Sequence, residues 1–293
     1  MYTLYETINR PPPEHQSALL ELSVGCSYGR CTFCQLSNGK TPLQLVPIQV
    51  LSENLMEMAS QGESSTRMFM TGENVLAFKT RYLLDVFKYV RSYLPGIQEF
   101  AMYGRADDIL HKTDEQLQAL HDEGLNTIYV GVESGNRQVL KDCRKGEVPE
   151  EIVQQLHRLD NIGIQYGLSS ILGLGGVKLW KQHALDTAEL YNQVRPRSIR
   201  VMTLTPMEGT PLEDAVKKGL FHIPPPEIIL QEELLLLETL NYADHRCRFI
   251  GNHVSNKQPI VGNVPDDQPW MIQALREALT HIRKDDYIHF NTW

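Results

Sequence analysis

Two hydrophobic periodicities alternate along this chain. Short apolar runs rich in β-branched and aromatic residues predict strands at Ala18–Gly25, Arg67–Thr71, Ile97–Tyr103, Asn126–Val132, Ile164–Leu172 and Ser198–Thr205. The segments between these runs have the helical period, as in the stripe formed by Leu83, Val86, Phe87, Val90 and Leu94. Thr113 and Gln116 form a capping box ahead of a further helix. The pattern therefore predicts strands and helices in regular alternation.

Alternation of this kind predicts parallel strands joined by right-handed helical crossovers. Six strand–helix units are too few for a closed eight-stranded barrel. The expected fold class is α/β, a partial (βα)6 TIM-like barrel. Its active site is expected at the carboxyl ends of the strands, where the loops leading into the helices gather.

The pattern changes after Leu212. Pro224–Pro226 interrupts the chain, and we expect a helix over Glu227–Ala243, an irregular stretch over Asp244–Gln268 and a helix over Pro269–Lys284. We interpret residues 1–212 as the barrel core and residues 213–293 as a helical and irregular extension that caps its open side within the same domain.

Composition narrows the functional class. The formal net charge of −8 makes a nucleic-acid partner unlikely on electrostatic grounds, since such proteins usually carry a basic surface. The longest apolar run, Ile228–Leu237, is interrupted by Gln231, Glu232 and Glu233 and does not predict a membrane span. The segment Met1–Pro13 lacks the apolar core of a secretory signal, so a cytoplasmic protein is expected.

Three of the five cysteines, Cys26, Cys31 and Cys34, share one short loop directly after the first predicted strand. Soft thiolate ligands suit iron–sulfur clusters and zinc. A structural zinc site needs a fourth ligand, and His15 is poorly placed to supply it. A four-iron cluster on three cysteines instead leaves one iron open for a further ligand. On spacing alone, a cluster, a zinc knuckle and packing thiols are all open.

The loop reads Gly25-Cys26-Ser27-Tyr28-Gly29-Arg30-Cys31-Thr32-Phe33-Cys34 and resembles the signature of the radical S-adenosylmethionine (SAM) superfamily. It departs from the commonest form in having four residues between the first two cysteines. It is similar to a subset related to oxygen-independent coproporphyrinogen oxidases, tRNA methylthiotransferases and elongator-type proteins. Further segments resemble this group in the same order: Arg10–Glu14, Tyr103–Ala106, Gly131–Gly135, Ile171–Gly176, Thr205–Leu212 and Asn252–Asn256.

The resemblance implies that Cys26, Cys31 and Cys34 hold a [4Fe-4S] cluster whose open iron chelates SAM. Reductive cleavage then gives a 5′-deoxyadenosyl radical. The expected SAM-binding residues follow or lie on the predicted strands; they are Gly72, Glu73, Arg105, Glu133, Ser169, Ser170, Ile171 and Arg200. The carboxylate of Glu133 suits the SAM ammonium, and an arginine suits a carboxylate. A plain turn at Gly72, an internal salt bridge at either arginine and simple barrel packing at the serines are the alternatives.

Three residues are candidates for contact with substrate. Tyr103 can stack on substrate or pack the barrel. Cys247 is a candidate hydrogen-donating thiol. His253, with Ser255 and Asn256 beside it, is a candidate for substrate contact or proton transfer. Cys143, on the apolar side of a short helix, is expected to be a packing thiol.

The predicted function is a radical SAM enzyme, an oxidoreductase or transferase, acting on a small-molecule substrate. A tRNA-modifying enzyme and a non-catalytic iron–sulfur electron-transfer module are the alternatives. Reduction of the cluster implies a flavodoxin or ferredoxin-type electron donor. An open four-iron cluster is labile to oxygen, so an anaerobic setting is expected.

Overall fold

The computed structural model describes residues 9–38 and 41–282. The chain divides into two compact units. The first comprises residues 1–29, 38–131 and 154–166, and the second comprises residues 30–37, 132–153 and 167–293. In the described part of the chain, no helix is long and apolar enough to cross a membrane.

The strands, in chain order, are β1 (Ala18–Glu21), β2 (Ser23–Val24), β3 (Gln44–Leu45), β4 (Arg67–Thr71), β5 (Glu99–Gly104), β6 (Leu125–Glu133), β7 (Gln165–Leu172), β8 (Ser198–Thr203), β9 (Cys247–Gly251) and β10 (Ile260–Val264). The helices are α1 (Ile48–Ser60), α2 (Thr80–Tyr93), α3 (Ala106–Leu110), α4 (Asp114–Asp122), α5 (Arg137–Asp142), α6 (Pro149–Ile162), α7 (Gly176–Asn192), α8 (Pro211–Lys217), α9 (Pro226–Thr239) and α10 (Gln268–His281). Five of the six predicted strands correspond to single strands, whereas the predicted strand Ala18–Gly25 is divided into β1 and β2, which belong to different sheets.

The first unit is built on the strand order β1-β4-β5-β6, with each adjacent pair parallel. Helix α2 buries the predicted apolar stripe, and its Phe87 stacks on Phe100 of β5 with ring centroids 4.1 Å apart. The predicted capping box begins α4, where Thr113 accepts a hydrogen bond from the backbone N–H of Gln116. Strand–helix alternation with parallel pairing confirms the predicted α/β class for this unit.

The amino ends of these strands are closed by an ion network around Glu14, which is 1% exposed. Arg67 donates two hydrogen bonds to the Glu14 carboxylate, at 2.8 and 2.7 Å, and Tyr129 donates a third at 2.7 Å. Arg67 also donates to Glu99 and Asn126, which lie near the starts of the two neighbouring strands. A buried carboxylate is tolerated here because its oxygens are bonded to several donors.

The second unit contains β7 and β8, which pair in parallel, then β9 parallel to β8 and β10 antiparallel to β9. The prediction of an irregular stretch over Asp244–Gln268 is therefore wrong, because Cys247–Gly251 and Ile260–Val264 are strands. These segments are short, and their pairing with β8 and with each other is a long-range contact that local pattern does not reveal. The predicted helices on either side are confirmed as α9 and α10.

None of the boundaries between the two units lies at residue 212. Residues 213–282 form the last part of the second unit, and α9 packs there against α7 and α10. The capping role of the extension remains a prediction. Part of the predicted final helix, beyond residue 282, lies outside the described residues.

Candidate active site

In the first unit, Cys26 follows β2 on a loop that contains two glycines in the left-handed region. Gly25 has φ +76° and Gly29 has φ +57°. A Cβ on Gly25 would lie 2.6 Å from the carbonyl oxygen of Pro42, so only glycine fits there. The thiol of Cys26 is free and half-buried. The backbone thus turns sharply where a metal-binding loop must present its first sulfur.

The same loop is held by residues that follow β4 and β5. The guanidinium carbon of Arg105 lies 3.6 Å from the centre of the Tyr28 ring. The side-chain amide of Asn74 donates to Ser27 at 2.8 Å and to Asp108 at 3.3 Å. Asp108 also accepts from the backbone N–H of Arg105 at 2.8 Å. The structure therefore brings Arg105 to the cysteine loop, and its predicted contact with SAM stays a prediction.

Gly72 and Glu73 follow β4. Gly72 has φ +141°, and a Cβ there would lie 2.5 Å from the Ser23 hydroxyl, so this glycine also meets a packing requirement. Glu73 is partly buried and accepts a hydrogen bond from Asn9 at 3.5 Å. Burial raises the pKa of Glu73 from its ordinary value, and the bond from Asn9 opposes that shift. Both residues occupy the strand end where SAM contacts were predicted.

Tyr103 lies on β5 and is half-buried. Its ring meets Phe69 edge-on at 5.2 Å and Tyr129 at 6.1 Å. These contacts explain the position of the ring by packing within the first unit, which is the alternative to stacking on substrate. Its predicted contact with substrate remains a prediction.

In the second unit, the rest of the cysteine loop is bound to α5 and α8. The backbone N–H of Thr32 donates to the carbonyl of Cys143 at 2.9 Å, and the carbonyl of Thr32 accepts from Leu212 at 3.0 Å. Phe33 packs against the apolar cluster of Val139, Cys143, Leu174, Leu204 and Leu212. Cys31 and Cys34 are half-buried and are not in disulfides, and the N–H of Cys34 closes a turn onto the Cys31 carbonyl at 3.1 Å.

Cys143 has the predicted role of a packing thiol, since it is 4% exposed. Burial raises the pKa of its thiol to about 12, with lesser contributions from the charges of Cys31 and Glu133, which also raise it, and of Lys145, which opposes them. A predicted cluster ligand and a predicted SAM ligand thus both influence this buried thiol.

Glu133 ends β6 in a strained conformation. It has φ +66°, in the left-handed region that non-glycine residues rarely adopt. Its carboxylate lies 3.6 Å from the ammonium of Lys145, which is itself 3.7 Å from Glu147. All three side chains are almost fully buried. Strain and buried charge at a strand end are typical of functional sites rather than of packing.

The strand pair β7–β8 separates the remaining predicted SAM contacts by face. Ser169 is opposite Arg200 in the register, and both are half-buried, as is Ile171. Ser170 points to the other face, where its buried hydroxyl faces Tyr191. Alternation along a strand explains the division. Three of the four predicted residues thus share one partly open face.

The segment after β9 is folded onto the end of β8 by Asn256. Its side-chain oxygen accepts from the backbone N–H of Thr203 at 2.8 Å, and its amide donates to the carbonyls of Val201 and Gly251 at 3.1 and 3.0 Å. His253 accepts at Nδ1 from the backbone N–H of Ser255, at 3.2 Å. Burial and the neighbouring Arg200 lower the pKa of His253. The lowered pKa favours the neutral imidazole. The ring lies near Arg200, which is on the partly open face of β8.

Cys247 begins β9 and has no exposed surface. Burial raises the pKa of its thiol. A thiol enclosed in this way reaches a bound substrate only if β9 moves, so its position argues against the predicted hydrogen-donating role.

Sequence reasoning missed the buried pair formed by His183 of α7 and Glu232 of α9. His183 Nδ1 lies 2.6 Å from Glu232 Oε1, and both side chains are at most 3% exposed. The sequence did contain a sign of this pair, because Glu232 and Glu233 follow Gln231 within the apolar run Ile228–Leu237. Lys145 was also missed; its loop sequence gives no sign that the ammonium is buried.

The three thiolates are the donor type that an iron–sulfur cluster takes. Within residues 9–38 and 41–282, no group of three or more His, Cys, Asp or Glu side chains is arranged to hold a single metal ion. A four-iron cluster takes its thiolates on separate irons, so its ligands surround a cube rather than meet at a point. Three half-buried thiols outside any disulfide, on one short loop bent at two glycines, supply donors of that kind.

Comparison with known proteins agrees with this geometry. The profile of the radical SAM superfamily matches residues 20–190, more than half of the chain. The tRNA-2-methylthio-N(6)-dimethylallyladenosine synthase of Helicobacter acinonychis is 24% identical over 190 residues, which cover 60% of this chain and 41% of that protein. Biotin synthase of Aquifex aeolicus is 22% identical over 251 residues, covering 84% of this chain and 70% of that enzyme.

The solved structure of coproporphyrinogen III oxidase from Escherichia coli, described as a radical SAM enzyme, superposes with a TM-score of 0.57 at 17% identity. The superposition covers 76% of this chain and 52% of that one. It supports the predicted partial-barrel fold class. The family uses a [4Fe-4S] cluster and SAM. From its sequence and its fold, this chain belongs to the radical SAM superfamily of enzymes.

Proposed function

We propose that this chain holds a [4Fe-4S] cluster on Cys26, Cys31 and Cys34 and uses it to cleave SAM reductively, with a small molecule as the substrate of the resulting radical. The observation that carries the proposal is the loop of three half-buried cysteines, which bends at Gly25 and Gly29 and has no room for a side chain at Gly25. Backbone bonds from Thr32 to Cys143 and to Leu212 fix the part of the loop beside Cys31.

When bound, the cluster supplies one electron to the SAM sulfonium, whose C–S bond breaks to give methionine and the 5′-deoxyadenosyl radical. The chain's own residues bind the cluster and orient SAM. The thiolates hold the cluster, and Glu133 accepts hydrogen bonds from the SAM ammonium while its carboxylate is paired with the ammonium of Lys145. Ser169, Ile171 and Arg200 offer one face for the adenosine and the carboxylate.

His253 suits a role beside the substrate. Its neutral imidazole carries its proton on Nε2, since Nδ1 accepts from the backbone N–H of Ser255. We propose substrate contact or proton transfer at Nε2.

A second candidate function is tRNA modification, which the similarity to the Helicobacter synthase favours. The chain spans less than half of that relative, and its net charge is −8. An acidic chain binds an RNA backbone poorly unless basic residues are concentrated on one surface. The small-molecule interpretation is therefore preferred.

The test is anaerobic reconstitution with iron and sulfide, followed by reduction with dithionite in the presence of SAM. Chromatography then measures 5′-deoxyadenosine. We expect it from the native chain and from Cys143→Ser, a matched control outside the loop, and not from Cys26→Ser, Cys31→Ser or Cys34→Ser. Each loop variant is also expected to retain less iron.

A loop variant that keeps full iron content and full cleavage would contradict the ligand assignment. A cluster that forms in the native chain but leaves SAM intact would favour an electron-transfer module. Addition of tRNA separates the two substrate classes: faster 5′-deoxyadenosine formation with tRNA would replace the small-molecule proposal. Activity with reduced flavodoxin or ferredoxin in place of dithionite tests the proposed electron donor.

A further inference from the structure

The imidazole of His183 lies between two hydrogen-bond acceptors in the interior of the second unit. Its Nδ1 is 2.6 Å from Glu232 Oε1, and its Nε2 is 3.3 Å from the carbonyl oxygen of Glu133. Glu232 also receives the backbone N–H of Gly173, at 3.1 Å on Oε1 and 3.0 Å on Oε2. One buried carboxylate and one ring therefore connect Gly173 with Glu133.

The contacts fix the number of protons. A carbonyl oxygen only accepts, so the Nε2 of His183 must carry a proton. Glu232 accepts the backbone N–H of Gly173 on both oxygens. One further proton is shared across the short contact between Nδ1 and Oε1. The buried ring and carboxylate therefore satisfy each other's hydrogen bonds, together with two backbone groups.

The pair joins two strand ends that carry predicted SAM contacts. Gly173 follows β7, and Glu133 ends β6. The left-handed conformation of Glu133 is strained and persists only where its surroundings enforce it. The bond from His183 to the Glu133 carbonyl is one enforcing contact, and the bond from the Gly135 N–H to Thr187 on the same helix is another.

We infer that the His183–Glu232 pair positions Glu133 for SAM. This inference rests on the proposed function, in which Glu133 binds the SAM ammonium. His183 touches no reacting atom and acts through the backbone of Glu133, so it is a positioning residue. The pair sets the direction of the Glu133 carboxylate, while Lys145 balances its charge.

A double-mutant cycle in the anaerobically reconstituted full chain separates positioning from a general structural role. The variants are His183→Gln, Glu133→Gln and the double variant, with His222→Gln as the matched control because His222 is exposed. The dissociation constant of SAM is measured by calorimetry, together with iron content and melting temperature.

We expect His183→Gln to weaken SAM binding by about tenfold to a hundredfold, as a small misplacement of a binding group does. Iron content stays at the native value, and His222→Gln binds SAM as the native chain does. In the Glu133→Gln background the second substitution has little further effect, because the group it positions is already lost. Additive losses in the double variant would overturn the inference.

A measurement on the metal-free chain tests the pair independently of SAM. With 15N-labelled histidine, the Nε2 of His183 should carry a proton that is protected from exchange, and Glu232→Gln should reduce that protection. A rapidly exchanging Nε2 proton in the native chain overturns the pairing even if SAM binds. If the proton is protected but Glu133→Gln leaves SAM affinity unchanged, the assignment of Glu133 in the proposed function fails instead.

Discussion

The guanidinium carbon of Arg105 lies 3.6 Å from the centre of the Tyr28 ring. Tyr28 belongs to the cysteine loop, and Arg105 follows β5, so the stack ties the loop to the sheet of the first unit. The backbone N–H of Arg105 is in turn held by Asp108. The arginine therefore supports the loop whether or not it also reaches SAM.

Replacing Arg105 by lysine keeps the charge and removes the planar stack. A partly desolvated cation–π contact is worth about 1–2 kcal/mol, so iron should leave the reconstituted variant for a chelator about five to thirty times faster than it leaves the native chain. Arg81→Lys, at a fully exposed position on α2, is the control and should release iron at the native rate. Equal rates for Arg105→Lys and the native chain would show that the stack does not support the loop.

The five thiols should divide into two classes in the reduced, metal-free chain. Cys26, Cys31 and Cys34 are half-buried, whereas Cys143 and Cys247 are buried with raised pKa values. Because the thiolate is the reacting form, iodoacetamide should modify the first three and spare the other two. Mass spectrometry of peptides measures the labelling. Reconstitution with iron and sulfide should protect the loop thiols, and labelling that persists on any of them would remove it from the ligand set.

Glu14 should stabilise the fold in a pH-dependent way. Burial raises its pKa, but hydrogen bonds from Arg67, Ser17 and Tyr129 outweigh burial and lower it below its ordinary 4.5. A carboxyl whose pKa is lower in the folded state adds stability above pH 4.5, and this stability is lost as the pH falls through the folded value. Glu14→Gln should cost about 3 kcal/mol at pH 7, since it leaves Arg67 without its main partner.

Chemical unfolding at pH 7 and at pH 4 measures this contribution of Glu14. The difference between native chain and Glu14→Gln should shrink at the lower pH. Glu63→Gln is a suitable comparison, because Glu63 also has a lowered pKa but bonds only to its local neighbour Ser65 on the surface. A Glu14→Gln difference that does not change with pH would contradict the prediction.

The stability contributed by Glu233 should depend on pH in the opposite direction. Burial and the adjacent Glu232 raise its pKa well above 4.5, and its Oε1 has no hydrogen-bond partner among residues 9–38 and 41–282. Its contribution to stability is complete below pH 4.5 and is lost as the pH rises through the folded value. At pH 8, Glu233→Met should therefore raise the free energy of unfolding by about 2 kcal/mol, because an unpaired buried polar group is removed.

The gain from Glu233→Met should be smaller at pH 5, where the native carboxyl is more nearly protonated. Denaturant titrations at the two pH values provide the comparison. Glu227→Met, on the exposed side of the same helix, should show no gain at either pH. A loss of stability at pH 8 would indicate that Glu233 makes a favourable contact in its charged form.

Much of the architecture followed from local sequence. Five of the six predicted strands were found as single strands because apolar runs with strand periodicity are short-range features, and the capping box at Thr113 is a pattern of four neighbouring residues. The cysteine loop was recognised in the same way, since its three sulfurs and its glycines are close in the chain. The family resemblance, which depends on such segments in order, is confirmed.

Long-range contacts decided the rest. β9 and β10 were not predicted, because they form by pairing with β8 and with each other, which are long-range contacts. Asn256 adds hydrogen bonds to Val201 of β8 and Gly251 of β9. The ion-pair partners Arg67, Lys145 and Glu232 each lie more than ten residues from Glu14, Glu133 and His183 respectively. Sequence determined which chemical groups the chain carries and which stretches form strands and helices. Only the tertiary structure decided which of these groups are buried together, and burial sets their charge, strain and pairing because it removes the water that would otherwise satisfy each of them separately.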